Sequence, residues 1–343
     1  MMHYQNATQI AEYKLLIASM IYEYDLSRFP RLSTMAQKYL QDTQHTLQYL
    51  SISLTIEEPL IFSNYMKWFG QVAYYLHFHF PSISHHFDAC KHIFSKVFEE
   101  DLFIKASKVF DQGVEVFRKS YDSTKPRDVI QSEFLVHLIN MESDLAYQYI
   151  AMKMEQGSSI HEVFLEIFQP TLYQVGELWQ QRIITVAKEH YITAAIQHII
   201  GKLYPMLFAN KSSSTHSITA VCAGNELHEI GMRMIADFFE LEGWDSHYLG
   251  SNLAAEFVVE QLLSHPTDVL AISATTSTHL VEVKQLITMV KNHEALKHTT
   301  IMVGGKVFND TPNLWKLLGA DLFASDPKQA IRLANLFEGE AHA

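Results

Sequence analysis

Apolar and polar positions divide the chain into a long helical part and a shorter part of alternating strands and helices. From residue 1 to about 122 the apolar residues recur at helical spacing. Ala11–Tyr22 winds into an amphipathic stripe, Pro30 interrupts it, and His45–Leu50 and Leu60–Phe69 repeat the character. Pro59 stands where the first turn of a helix tolerates proline. A polar, proline-containing joint, Ser123-Thr124-Lys125-Pro126-Arg127, sets the first expected boundary. Helical spacing then resumes from Asp128 to about Phe208, where Ile183-Ile184-Thr185-Val186 is a β-branched interruption and Thr185 can cap a new helix. This predicts a four-helix bundle over 126–210, with two helices meeting near Arg182. From about 216 short β-branched runs alternate with helical segments. Strands are expected near 217–223, 246–249, 268–273, 300–303 and 321–325, with a last helix near 327–337. Five such pairs predict a parallel sheet in flavodoxin-like order 2-1-3-4-5. The fold class is therefore α plus α/β, with domains at 1–122, 126–210 and 216–343.

Composition narrows the classes of partner. The 343 residues are 48% apolar and 19% charged, with 21 Phe and 16 Tyr, as expected of globular domains with aromatic cores. A formal charge of −12 argues against nonspecific binding to nucleic acid or anionic membranes. The two cysteines, Cys90 and Cys222, imply no disulfide framework, and no apolar run reaches membrane length. The first residues show no signal-peptide pattern, so the expected location is the cytoplasm.

The chemistry concentrates after the first strand of the α/β part. Ser217–Ala223 leads into Asn225-Glu226-Leu227-His228-Glu229-Ile230-Gly231, so His228 lies in the loop at the carboxyl end of a strand, where open α/β sheets bind ligands. A gap of forty-one residues separates Gly231 from Ser273-Ala274-Thr275, and a gap of twenty-eight separates Thr275 from Gly304-Gly305. This order and spacing resembles the cobalamin-binding signature Asp/Glu-x-His-x-x-Gly, Ser-x-Thr/Val/Leu, Gly-Gly, over residues 217 to about 335. The resemblance implies that His228 ligates the cobalt of cobalamin from below, in place of the cofactor's own base. Neutral imidazole suits a transition metal, and a hydrogen bond to its other nitrogen fixes which nitrogen is free. Glu226 can accept that bond, and Ser273 can hold Glu226 in turn. Gly304 and Gly305 would leave room for the displaced nucleotide tail, and a turn at Leu249-Gly250 would flank it.

A second resemblance lies in the bundle. Trp179, nine residues, then Glu189-His190 is similar to the Trp-x9-Glu-His cap of the cobalamin-dependent photoreceptors. In that family the tryptophan covers the upper face of the corrin against the adenosyl group, and the glutamate and histidine contact the upper ligand. The chain departs from the light-dependent repressors of that family in having Gln180 where they have a histidine after the tryptophan. It also lacks a recognisable basic DNA-binding helix. The expected function is a cobalamin-holding sensor, responsive to light and signalling to a protein partner or by self-association, with adenosylcobalamin as the expected form and methylcobalamin as the other. A corrinoid methyl-carrier protein of a methyltransferase system is the alternative. Elsewhere, His77-Phe78-His79 and His85-His86, with Asp88 and Cys90, match no metal-site spacing and are read as polar or packed side chains. Gly304-Gly305-Lys306 lacks the glycine spacing of a P-loop.

Overall fold

A computed structural model describes residues 3–125, 130, 132–207 and 216–341. The expected joint at Ser123–Arg127 and the boundary near 210 fall partly outside these residues. The chain divides into two compact units. The first comprises residues 1–124 with the segments Thr276–Val281 and Asp310–Leu318, and the second comprises the remainder.

The first unit is built from α1 (Ala7–Glu12), α2 (Lys14–Arg28), α3 (Ala36–Ile56), α4 (Pro59–Tyr75), α5 (Phe80–Val97) and α6 (Glu100–Ser123). Its core is aromatic, with Phe62, Phe94, Phe110 and Phe117 fully buried. In the histidine-rich stretch His77, His79 and His85 are exposed, and His86 alone is packed among side chains. His86 Nδ1 lies 2.6 Å from the Tyr39 hydroxyl and 3.4 Å from Asp25 Oδ2, and its Nε2 lies 3.6 Å from Cys90 Sγ. Among the described residues no group of three or more His, Cys, Asp or Glu is arranged to hold a metal ion.

The second unit begins with four helical rods: α7 (Glu133–Ile139), α8 (Ser143–Glu155), a rod running from α9 (Ile160–Glu162) through a π-helical stretch (Val163–Phe168) into α10 (Gln169–Gln180), and α11 (Val186–Leu207). The α/β part follows as β1 (Ser217–Ala223), α12 (Ile230–Leu241), β2 (Asp245–Leu253), α13 (Ala255–Ser264), β3 (Val269–Ser273), α14 (Leu280–Asn292), β4 (Thr300–Gly304), the short α15 (Lys306–Asp310) and α16 (Leu314–Leu318), β5 (Leu322–Ala324) and α17 (Pro327–Ala341). The five strands are parallel in the order β2-β1-β3-β4-β5, as the pattern predicts. Their register sets Cys222, Ser273 and Gly304 side by side at the carboxyl edge.

Helix α12 fixes the site. It carries two apolar stripes, so both of its sides are buried. Met232, Ala236 and Phe239 pack on the sheet beside Trp244, while Ile230, Met234 and Phe238 join the bundle core with Phe164, Phe168 and Ile196. The loop that leads into α12 is thereby held between bundle and sheet.

The second strand differs from expectation. It runs on through Leu249-Gly250 to Leu253, because a bulge in β2 absorbs one residue: Ala220 pairs with Tyr248, and Val221 with Gly250. Leu249-Gly250 is thus an irregularity inside a strand and not the turn that ends it. Gly250 takes φ +81°, which glycine adopts without a side-chain clash.

Candidate functional site

The chain leaves β1 at Gly224 with φ +52°. The Glu226 N–H donates to Ala223 O at 3.0 Å and the Glu229 N–H to Leu227 O at 2.9 Å, so the loop is pinned before α12 begins. Glu226 turns inward and its side chain is 1% exposed, whereas that of His228 is 64% exposed. Glu226 Oε1 lies 2.5 Å from His228 Nδ1 and accepts the His228 backbone N–H at 3.0 Å. Its other oxygen, Oε2, accepts the Thr275 backbone N–H at 2.7 Å. A carboxylate at Nδ1 holds the proton there and leaves the lone pair on Nε2, the form of imidazole that binds a metal.

The charges agree with this arrangement. Burial opposes a charge on Glu226, but the bonds from His228 and Thr275 outweigh it and hold the carboxyl down at about 2. The bond to Glu226 raises the His228 pKa above its ordinary 6.5; burial works against this, and the charges of Glu226 and Glu189 reinforce it. The buried Cys222 thiol is pushed up to about 12 by burial and by the charges of Glu226 and Glu229, so it is no rival thiolate. The two shifts have opposite consequences for stability. Glu226, lowered from 4.5, stabilises the fold above that value and loses the contribution as pH falls toward 2. His228, raised from 6.5, contributes fully below 6.5 and loses the contribution as pH rises through its folded value. The ring protons of His228 are therefore expected to titrate by NMR with a midpoint above 6.5, and Glu226→Gln to lower that midpoint. An unmoved midpoint in the variant removes Glu226 as the cause.

The backbone of Thr275 supplies a bond to Glu226 that was not foreseen from the sequence. Ser273 also lies near Gly305: a Cβ on Gly305 would come within 3.1 Å of Ser273 Oγ and 2.3 Å of Ala274 O. Gly305, at φ +100°, thus lets the end of β4 close on β3. A Cβ added at Gly231 or Gly250 meets nothing within 4 Å, so the open ground lies there.

Trp179 stands at the end of α10. Arg182 takes φ +59°, the Ile183 N–H donates to Leu178 O at 2.9 Å to close that helix, and Thr185 Oγ1 accepts the Lys188 N–H at 3.2 Å to open α11. In the first turn of α11, Glu189 Oε2 lies 2.5 Å from His190 Nδ1, and its Oε1 accepts the Thr193 hydroxyl at 3.0 Å. The Glu189 charge acts on His228, which puts the two motifs within electrostatic reach of each other. Trp179, Ile183, Val186 and Leu227 are all exposed apolar side chains on these same segments.

Other contacts were not foreseen from the sequence. Glu229 accepts from Gln197 Nε2 and from Ser251 Oγ, each at 2.9 Å, and the Tyr204 hydroxyl donates to Asp237 at 3.0 Å while accepting from Arg233 Nε at 2.8 Å. These bonds tie α11 to α12 and β2. Only the nearness of Glu229 to His228 offered a signal; Gln197 and Tyr204 lie about thirty residues away in sequence.

The donor set fits a corrinoid: one outward imidazole nitrogen backed by a buried carboxylate, with exposed apolar side chains on the bundle segments around the cap motif. Comparison with known proteins agrees. Residues 216–331 match the B12 binding domain family, and residues 130–204 match a second family also described as a B12 binding domain. A corrinoid protein of Desulfitobacterium hafniense is 25% identical over 50% of this chain and 76% of its own. Monomethylamine corrinoid protein 2 of Methanosarcina barkeri is 26% identical over 47% of this chain and 73% of its own. The HTH-type transcriptional repressor CarH of Myxococcus xanthus is 24% identical over 48% of this chain and 54% of its own. Among solved structures, the Methanosarcina barkeri monomethylamine corrinoid protein superposes with a TM-score of 0.53 at 20% identity, over 59% of this chain and 95% of that one, and shares its fold.

Proposed function

We propose that this chain, a protein built on two B12 binding domains, is a cobalamin-holding sensor that responds to light and passes the change to a protein partner or a second copy of itself. Cobalamin binding itself rests on the two family matches and on the corrinoid relatives. The observation that carries the sensor reading is the cap: Trp179 is exposed at the end of α10, and Glu189 in the next helix lies near enough to act on His228. When bound, cobalamin would supply a corrin ring that absorbs visible light and a weak cobalt–carbon bond that the absorbed light can break. The chain's own residues do the rest. His228 Nε2 would hold the cobalt, Glu226 holds the imidazole in the binding tautomer, and Trp179 with Glu189 and His190 would cover the bound group and exclude water. Loss of a bulky group from the bound cofactor would remove what the cap packs on and so shift the population of bundle conformations. We assign the three parts to residues 1–122, 126–210 and 216–343, working in the cytoplasm.

A methyl-carrier role is the second reading, favoured by the several relatives named as methylamine corrinoid proteins. Trp179→Ala separates the two. Under the sensor reading it weakens adenosylcobalamin binding by roughly tenfold, since a lost aromatic contact is worth about 1–2 kcal/mol, and leaves methylcobalamin binding nearly unchanged. Binding is read by titration in the dark. Rejection of adenosylcobalamin by the wild type, with tight methylcobalamin binding and dark transfer of the methyl group to a thiol, decides for the carrier.

A further inference from the structure

One half-buried side chain joins three elements beside the ligand loop. Glu229 follows His228 directly and is the N-cap residue of α12. Its Oε1 accepts from Gln197 Nε2 of α11 at 2.9 Å. Its Oε2 accepts from Ser251 Oγ of β2 at 2.9 Å and from the Tyr248 hydroxyl at 3.4 Å. Side chains alternate along a regular strand, so Tyr248 and Ser251 would ordinarily face opposite sides of the sheet. The bulge at Leu249-Gly250 lies between them and aims both at the one carboxylate.

Gln197 also belongs to a row. Glu189, Thr193 and Gln197 recur every fourth residue, which sets them on one face of α11, and all three are half-buried. The Thr193 hydroxyl donates to Glu189 Oε1 at 3.0 Å, and the Glu189 charge reaches His228. The same face of α11 therefore meets the His228 loop twice, at Glu189 and, about two turns further on, at Gln197. Because Gln197 is bonded to the residue next to His228, α11 cannot slide past the loop without breaking that bond.

We infer that Glu229 is a positioning residue of this site: it fixes the distance between His228 and the Glu189-His190 pair, and thereby the size of the group that fits above the cobalt. The inference rests on the reading of Trp179, Glu189 and His190 as a cap over cobalamin. The full chain is titrated in the dark with adenosylcobalamin, whose upper group is bulky, and with hydroxocobalamin, whose upper group is small. Gln197→Glu sets a second carboxylate against Glu229 and drives α11 from the loop. It is expected to weaken adenosylcobalamin binding about tenfold and hydroxocobalamin binding less than about threefold. Adding Glu229→Gln to Gln197→Glu reverses the bond, since the amide at 229 then donates to the carboxylate at 197 while its oxygen still accepts from Ser251. This exchange is expected to restore adenosylcobalamin affinity to within about threefold of the wild type. An unmoved affinity in Gln197→Glu, an equal loss for both cobalamins, or an exchange that restores nothing overturns the assignment. If Gln197→Glu does not fold, Gln197→Ala removes the donor without adding charge and is judged by the same comparison of the two cobalamins. Rejection of adenosylcobalamin by the wild type is the failure of the cap reading, and this inference falls with it. Wild-type binding with unmoved variants is the failure of this inference alone.

Discussion

Replacing His228 with alanine is expected to weaken cobalamin binding by roughly 100-fold or more and to change the absorption spectrum of what still binds. The magnitude follows from position. Loss of a group that only orients a ligand costs about 10- to 100-fold, and His228 is the ligand itself, with Glu226 as its orienter. Glu226→Gln belongs in that lower range. Its single amide oxygen can serve His228 or the Thr275 N–H but not both, because the amide nitrogen donates and cannot accept, where Glu226 now offers two oxygens of a carboxylate held down at about 2. The check is spectroscopic as well as thermodynamic. In the cob(II) form, ¹⁵N-labelled histidine is expected to alter the electron-paramagnetic splitting of the wild type. Splitting that is blind to the label, and that survives in the alanine variant, assigns the lower ligand to the cofactor's own base and sinks the assignment of His228.

Gly305→Ala is expected to cost about 3 kcal/mol or more in stability, from two sources. A Cβ at this position meets Ala274 O at 2.3 Å, a backbone atom that moves only if β3 and β4 separate. The residue also sits at φ +100°, where side chains are strained whatever the space. The damage reaches the site, because Ala274 is joined to Thr275, whose N–H holds Glu226. Urea unfolding is expected to show a lower midpoint with an unchanged slope, and cobalamin affinity is expected to fall with it. Gly231→Ala is the matched control, since an added Cβ there meets nothing within 4 Å. An unchanged midpoint for Gly305→Ala contradicts the packing account.

Periodicity alone determined the class of every large part of this chain. Period-3.6 apolar spacing over the first two hundred residues and short β-branched runs afterwards are local signals, and they suffice for helices, strands and a parallel order, because βα units leave few ways to cover both faces of a sheet. Spacing also brought out Glu226, His228, Ser273 and Thr275 as one group, since motif residues at the carboxyl ends of neighbouring strands converge. What tertiary structure decided was which atom does what. One bond to Glu226 comes from the Thr275 backbone, and a backbone donor leaves no mark on residue identity. Gly305 is required by Ala274 O, a contact made across strands. Leu249-Gly250 became a bulge because β1 pairs on past it, a matter of register between two strands. The bonds from Gln197 and Tyr204 to the α12 region depend on helices meeting in space. A side chain's partner is set by packing between elements distant in the chain, and a single sequence records the elements but not their contacts.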